Sequence, residues 1–148
     1  MKKALVLFLA VGFLNVSEVL ANGDDIIGIW KPSNERSMLK IDKEGDKYYA
    51  QVVWLLEPND ENGNPRTDIN NPDESLRSTP LKGHRILKDL IYDEDEQVWT
   101  DGTIYDPNNG STYSCTIEKK DDNTIEVRGY IGASIFGRTD VWSRMKRK

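Results

Sequence analysis

Two short stretches decide the fold, Gly28-Ile29-Trp30 near the start of the chain and Trp142-Ser143-Arg144 near its end. Each lies in a short apolar segment typical of a β-strand. A tryptophan on the first strand meets an arginine on the last strand only if the sheet curls until its two edges touch. The two stretches therefore predict a closed β-barrel, in which Gly28, Trp30, Trp142 and Arg144 are structural residues of the closed end.

The first 21 residues have the order of a secretory signal peptide. Lys2 and Lys3 precede an apolar run over residues 4–16, and Ala21 ends the segment with a small residue. The apolar run is shorter than the roughly 18 residues that a membrane-spanning helix needs. We therefore expect cleavage near Ala21, a periplasmic or secreted bacterial protein, and no integral membrane segment after cleavage.

Residues 22–148 fit a single β-barrel domain, since 127 residues make one core of ordinary size. The complete chain has a formal net charge of −5, and the signal removes Lys2, Lys3 and Glu18, which leaves −6. Nucleic acids and anionic membranes favour clustered Lys and Arg, so this acidic balance argues against both as partners. The exception is the basic tail at 144–148, which we expect to be a solvated, fraying end.

Strands are predicted from alternating apolar and β-branched residues between turn signals. Within 97–105, strict alternation places Trp99, Thr103 and Tyr105 on one face and Ile104 on the other. The 81–92 segment could also form a short helix, and 132–137 interrupts the pattern as a turn or a single helical turn. The predicted strands are 26–31, 37–42, 48–56, 81–92, 97–105, 111–119, 124–131 and 138–145. They predict an all-β, eight-stranded antiparallel barrel, whose interior holds side chains or one small ligand.

The chain has one cysteine, so it forms no intrachain disulfide. Cys115 falls on the same strand face as Tyr113 and Ile117, which favours a buried and inert thiol. The oligomeric state is not indicated by the sequence.

Short motifs distributed along the whole mature chain suggest a family. The Gly28-x-Trp30 start with a near-terminal Arg144 is similar to the lipocalin and streptavidin (calycin) barrels. A wider set of motifs resembles the bacterial domain-of-unknown-function family 2147. That resemblance implies an exported, calycin-like up-and-down barrel and brings no activity with it. The motifs are Gly28-x-Trp30, Val53-Trp54-Leu55, Gly63-x-Pro65-x-x-Asp68, Asn71-Pro72, Pro80-Leu81-x-Gly83, Ile104-Tyr105-Asp106-Pro107, Gly110-x-x-Tyr113, Arg128-Gly129-Tyr130 and Phe136-Gly137-Arg138-Thr139.

The long irregular connection over 57–80 is rich in Asp, Glu and Asn, the ligands of hard cations. Its spacing does not match a calcium loop, because Gly63 is fourth from Asp60 rather than sixth and the twelfth residue is Asn71. We therefore expect no metal site and no cofactor. Asx turns and a contact of Asp68 with Arg66 or Arg77 are expected to hold the loop.

Two kinds of functional residue stand out. His84, the only histidine, could act with Asp68 and Asp73 in a hydrolase or transferase, although the chain has no nucleophile-elbow motif. Aromatic side chains in a barrel mouth stack on rings or acyl chains, and an arginine can hold an anionic group. The candidate ligand-binding residues are Trp54, Trp99, Tyr105, Tyr113, Tyr130 and Arg138.

These features favour a non-enzymatic protein that binds a small apolar or amphiphilic molecule at the open end of the barrel, with 57–80 as its lid. The alternatives are the Asp/His enzyme and a cell-envelope interaction module that presents the acidic loop to a protein partner. The sequence leaves the choice between a ligand cavity and a barrel filled by side chains open.

Overall fold

The computed structural model describes Gly12 and residues 22–146. The predicted signal peptide and the end of the basic tail lie outside the described residues, apart from Gly12. Arg144 and Met145 of that tail belong to the structured part: Arg144 ends a strand, and the Met145 N–H donates to the Ile29 carbonyl at 2.8 Å.

Residues 22–146 contain eight strands that pair antiparallel in chain order and close into a barrel. This confirms the predicted fold class, including a strand rather than a helix for the fourth element. The strands are β1 (Gly28–Lys31), β2 (Ser37–Glu44), β3 (Lys47–Leu55), β4 (Arg85–Asp93), β5 (Val98–Asp106), β6 (Ser111–Asp121), β7 (Thr124–Tyr130) and β8 (Arg138–Arg144).

The barrel closes where β1 meets β8, at a seam of two residue pairs, Trp30 with Arg144 and Lys31 with Ser143. The Arg144 guanidinium lies over the Trp30 ring, 4.3 Å from the ring centroid. It also donates to the carbonyl oxygens of Ile27 at 2.9 Å, Asp122 at 2.7 Å and Asp25. One side chain thus joins the last strand to the first strand and to the β6–β7 turn.

A short 3₁₀ helix, Gly23–Ile26, forms a plug at the closed end. Ile26 belongs to this helix, so its predicted place in the first strand is wrong. Asn22 and Asp25 instead form a reciprocal capping box that turns the backbone before β1 begins. The indole N–H groups of Trp30 and Trp99 donate to plug carbonyls, at 2.8 Å to Ile26 and 2.9 Å to Gly23. The plug therefore supplies the polar partners of two buried tryptophans.

Strand β5 carries a bulge that overturns the predicted assignment of its faces. Trp99 pairs with Ile117 and Gly102 with Cys115, so β5 has one extra residue against β6. Asp101 lies within this bulge and has a positive φ of 64°. An extra residue reverses the alternation beyond it. As a result Ile104 faces the barrel interior with Trp99, although strict alternation placed the two on opposite faces.

Side chains fill the half of the barrel next to the plug. Gly102 lies against Leu90, whose Cγ would be 2.6 Å from an added Cβ, so this layer has no spare room. Cys115 is buried here as expected, and burial raises the pKa of its thiol to about 12. Six fully buried apolar residues dominate the layer: Trp30, Ile41, Leu90, Trp99, Ile117 and Ile125.

Four loops surround the opposite, open end, at 32–36, 56–84, 107–110 and 131–137. The second contains the short 3₁₀ helix Glu74–Leu76. The fourth contains the 3₁₀ helix Ser134–Phe136, one of the two alternatives, a turn or a single helical turn, predicted there. At the closed end the strands are joined by short turns at 45–46, 94–97 and 122–123, so the long connections between strands within 22–146 lie around one mouth.

Candidate ligand-binding cavity

A cavity of about 1040 Å³ opens between the four loops and extends into the barrel. Its floor is the upper surface of the core, where Leu39, Val52, Val127 and Trp142 belong both to the core and to the cavity lining. Leu55, Ile86 and Ile104 continue the apolar wall towards the mouth. The barrel is therefore filled in one half and open in the other.

Gly129 keeps part of this space free. It pairs with Cys115 and Arg138 in the ladder, and a Cβ added to it would lie 3.3 Å from Ile104 Cγ2. Any larger side chain at this position would point into the cavity. The absence of a side chain at Gly129 thus contributes directly to the cavity volume.

The mouth is polar. Arg36 donates to Glu57 at 2.6 Å, and Arg66 lies 3.7 Å from the same carboxylate. Deeper in, Asp140 accepts from the Trp142 indole at 2.9 Å and from the Ser33 hydroxyl. Arg138 also lines the cavity, two residues before Asp140 on the same strand. An apolar interior below a charged mouth suits a molecule with an apolar body and a polar end.

Behind one wall lies a buried carboxylate, Asp68, which is 0% exposed. Its oxygens accept from the Tyr105 hydroxyl at 2.7 Å and from the Asn71 amide at 2.8 Å. His84 Nε2 is 3.3 Å from Asp68 Oδ2, and the His84 ring meets the Tyr105 ring edge-on. Burial, followed by the hydrogen bond to Asp68, raises the pKa of Tyr105 to about 12.

This cluster fastens the long loop to the barrel wall. Asn70 donates its side-chain amide to the carbonyls of Pro107 at 2.9 Å and Asn108 at 3.1 Å. Gly110 packs so closely beneath the loop that an added Cβ would lie 2.1 Å from the Asn70 carbonyl oxygen. The loop is therefore held at three points as a fixed wall of the mouth.

A family model described as an uncharacterized protein conserved in bacteria (DUF2147) matches residues 28–144, which include all eight strands. The chain belongs to the DUF2147 family. This confirms the family that the sequence motifs resembled. No curated protein matches the DUF2147 chain.

Among solved structures, the DUF2147 chain is similar to HP1028 from Helicobacter pylori, a protein described as belonging to the lipocalin family. The TM-score is 0.70 and the sequence identity is 22%, over 81% of this chain and 82% of HP1028. At this identity the likeness establishes the lipocalin-like fold. No helix of the DUF2147 chain, within the residues described, combines the length and apolar character needed to cross a membrane.

The structure brings four of the six candidate ligand-binding residues of the DUF2147 protein to the cavity: Tyr105, Tyr113, Tyr130 and Arg138. Trp99 lies below it, fully buried against the plug. Trp54 lies outside it and is 38% exposed, because a register shift between Met38 and Leu39 disturbs the alternation of β3. Aromatic character alone did not separate the core, the wall and the outer surface.

Of the three candidate catalytic residues, the structure brings Asp68 and His84 together and places Asp73 elsewhere. The Asp73 carboxylate accepts from the backbone N–H and hydroxyl of Ser75 and caps the Glu74–Leu76 turn. The expected contact of Asp68 with an arginine is wrong. Arg66 and Arg77 donate to the Glu57 and Asn71 carbonyls, while the buried Asp68 accepts from Tyr105 and Asn71.

Asx turns shape the remainder of the loop, as expected. Asp60 Oδ1 accepts from the backbone N–H groups of Asn62 and Asn64, both at 2.9 Å. Across Gly12 and residues 22–146, no three His, Cys, Asp or Glu side chains converge as they would around a metal ion.

Four residues of the cavity, or partners of such residues, were not predicted from the sequence: Gly129, Ile104, Asp140 and Ser33. Gly129 carried a usable signal, since a glycine inside a predicted strand indicates a bulge or a close approach. The bulge in β5 hid Ile104. Ser33 and Asp140 are 107 residues apart in sequence, and only barrel closure joins them.

Proposed function

We propose that this DUF2147 protein is exported and binds one small apolar or amphiphilic molecule in the open half of its barrel. The observation that carries the proposal is the cavity of about 1040 Å³, with apolar walls and a charged mouth. Ligand sites in proteins commonly enclose roughly 300–1,000 Å³, so this space accommodates an acyl chain or a fused-ring body.

The driving force follows from the wall chemistry. Each Å² of apolar ligand surface removed from water contributes about 25 cal/mol, before the cost of immobilising the ligand. Tyr105, Tyr113 and Tyr130 line the cavity with aromatic side chains, and Arg138 supplies a cation for an anionic end group. The apolar body of the ligand would lie over Val127 and Trp142, with its polar end among the loops.

The test is a titration with the neutral fluorescent probe N-phenyl-1-naphthylamine, together with native mass spectrometry of the purified protein. Ile104→Trp should fill the cavity and weaken probe binding about tenfold or more, which corresponds to roughly 1.4 kcal/mol. Thr103→Trp is the matched control, because Thr103 pairs with exposed Lys88 and Ser114 on the outer face of the same strand.

The expected result is that wild type and Thr103→Trp bind the probe with equal affinity, whereas Ile104→Trp binds it about tenfold more weakly or worse. Circular dichroism and thermal unfolding of both variants check that they keep the barrel. A wild-type protein that binds no probe and carries no co-purified molecule overturns the proposal. Equal probe binding by Ile104→Trp also overturns it.

The second candidate function, hydrolysis or group transfer, is favoured by the 3.3 Å contact of His84 with Asp68. This candidate has less support than ligand binding, because Asp68 is fully buried and its oxygens already accept hydrogen bonds from Tyr105 and Asn71. An Asp/His enzyme requires turnover that disappears in His84→Ala. Activity that persists in that variant rejects this candidate.

A further inference from the structure

The β7–β8 loop, residues 131–137, carries the most exposed large apolar side chains among the described residues. Ile135 and Phe136 are each 76% exposed, and Ile131 is 69% exposed. Across the same mouth, Ile69 of the long loop is also 69% exposed. Large exposed apolar side chains grouped around the mouth of the cavity indicate an interaction site.

These side chains are held outward by a fixed backbone. Arg128 Nε donates to the Ser134 carbonyl at 2.7 Å, and its NH1 donates to the Thr139 hydroxyl at 2.8 Å. Gly137 packs against β7, where an added Cβ would lie 2.5 Å from the Gly129 carbonyl oxygen. The loop therefore presents Ile135 and Phe136 to solvent while its own backbone stays on the barrel.

The charge around this loop differs from the charge of the rest of the molecule. The complete chain has 25 acidic residues and a net charge of −5, yet residues 127–139 contain no Asp or Glu and two arginines. The ion pairs within 22–146 involve neither Arg128 nor Arg138. Two cations beside exposed apolar side chains match the phosphate and hydrocarbon layers of a lipid surface.

The loop is also continuous with the cavity. Ile69, Ile131 and Phe136 line the cavity as well as being exposed. An apolar molecule leaving a bilayer at this loop would pass from lipid to the cavity wall along apolar side chains. A protein partner would not require that continuity, so the lipid surface is the favoured occupant.

We propose that the β7–β8 loop docks the open end of the barrel onto a phospholipid bilayer, with Ile135 and Phe136 inserted and Arg128 and Arg138 at the level of the phosphates. The acidic remainder of the molecule is repelled by an anionic surface and so orients this loop towards it. Docking is independent of the bound ligand. Transfer of a ligand from the bilayer into the cavity rests on the proposed function.

The experiment is co-sedimentation of the protein with vesicles of phosphatidylethanolamine and phosphatidylglycerol. Ile135→Ser combined with Phe136→Ser should weaken binding about tenfold or more, because two side chains lose their apolar burial. Arg138→Gln should weaken it about fivefold on the same vesicles, which corresponds to about 1 kcal/mol. Ile91→Ser, at an exposed isoleucine on the outer wall of β4, is the matched control and should bind as wild type.

A fluorescent label reports insertion directly. Ile135→Cys carrying the polarity-sensitive nitrobenzoxadiazole group should brighten on addition of vesicles, whereas the same label at Ile91→Cys should not. Cys115 does not compete for the label, since it is 1% exposed and burial raises the pKa of its thiol.

The proposal is overturned if wild type does not co-sediment, if the double serine variant co-sediments equally, or if the label at residue 135 stays dark. A dimer that Ile135→Ser abolishes, without vesicle binding, would also overturn it in favour of self-association. Ile135 is not part of the cavity lining, so Ile135→Ser should still bind N-phenyl-1-naphthylamine. Loss of docking with retained probe binding thus separates this proposal from the proposed function.

Discussion

At the scale of single residues, Arg144 shows how one side chain completes a closed sheet. Its guanidinium stacks on Trp30 and donates to three carbonyl oxygens of the plug, the β1 entry and the β6–β7 turn. Gly28 makes room for it, since an added Cβ there would lie 2.7 Å from Arg144 NH1. Charged hydrogen bonds and ring stacking combine at this point, so its loss affects several elements together.

We predict that Arg144→Ala lowers the free energy of unfolding by about 2–4 kcal/mol, because several charged hydrogen bonds and one cation–π contact disappear. Urea unfolding monitored by tryptophan fluorescence measures the change. Arg36→Ala is the control, since the Arg36 side chain is 58% exposed and pairs with Glu57 at the surface. It should cost no more than about 1 kcal/mol. Equal losses in the two variants would contradict the role assigned to Arg144.

The residues that could be predicted are those carried by local patterns. Trp30 and Arg144 lie in short motifs at the two ends of the chain, and Cys115 follows a clear alternation. Asp68 could be named as a candidate site residue from the sequence, but the side chains that surround it could not be predicted. Tyr105 is 37 residues away along the chain, and the contact depends on how the long loop folds back on the wall.

At the scale of elements, the long loop shows that an irregular segment can be as firmly attached as a strand. It contacts the β5–β6 hairpin through Asn70, through the close approach at Gly110, and through the Asp68 hydrogen bond with Tyr105. The mouth of the cavity therefore has one wall that is built from loop rather than sheet.

We predict that Gly110→Ala destabilises the protein more than Gly45→Ala. Both glycines have positive φ, 74° and 64°, so both substitutions carry the same kind of backbone strain. An added Cβ meets the Asn70 carbonyl oxygen at 2.1 Å in the first case and nothing within 4 Å in the second. The difference should be about 1–3 kcal/mol, the usual cost of overpacking.

Thermal or urea unfolding of both variants gives that difference. Hydrogen exchange should also show faster exchange of the Asp68 N–H, which donates to the Thr79 carbonyl, in Gly110→Ala alone. Equal stability of the two variants would mean that the loop is not held at this hairpin.

Element types were largely predictable, whereas their irregularities were not. All eight strands follow from alternation and turn residues, which are local signals. The plug was missed because Ile26 continues an apolar run, although Asn22 and Asp25 carried the spacing of a capping box. The β5 bulge lies at Asp101 and Gly102, so its one local signal was a glycine inside a predicted strand. The cavity depends on side-chain volumes summed around the barrel, which no single segment shows.

At the scale of the whole molecule, folding lowers the pKa values of five carboxyl groups. The Tyr48 hydroxyl and the Lys43 ammonium hold the pKa of Asp24 below its usual value. The Asn22 backbone N–H, and then Lys119, do the same for Asp25. The pKa values of Glu35, Asp42 and Asp73 are lowered as well. Each of these groups binds a proton less readily in the folded state than in the unfolded state.

We predict that the protein is most stable above about pH 4 and loses stability below it. At lower pH the carboxylates of the unfolded chain bind protons more readily than those of the folded protein, which favours unfolding. The stabilising contribution is present above the unfolded pKa and disappears as the pH falls through the folded pKa. Asp25→Asn should lower the free energy of unfolding at neutral pH, because the plug loses its ion pair with Lys119. It should also make the loss of stability at acidic pH smaller than in the wild type.

Urea unfolding across a pH series checks both effects. Asp46→Asn, in the exposed β2–β3 turn, is the control and should follow the wild-type curve. If Asp25→Asn loses as much stability at acidic pH as the wild type, the plug carboxylate does not contribute to that loss.

The seam between β1 and β8 has a consequence for association between molecules. It contains two residue pairs, whereas the adjoining β7–β8 ladder contains six. We therefore expect a transient opening of the barrel to begin here, which would uncover two strand edges with free backbone donors and acceptors. Such edges template pairing with another chain. By keeping this short joint shut, Arg144 and the plug protect the protein against strand exchange and aggregation.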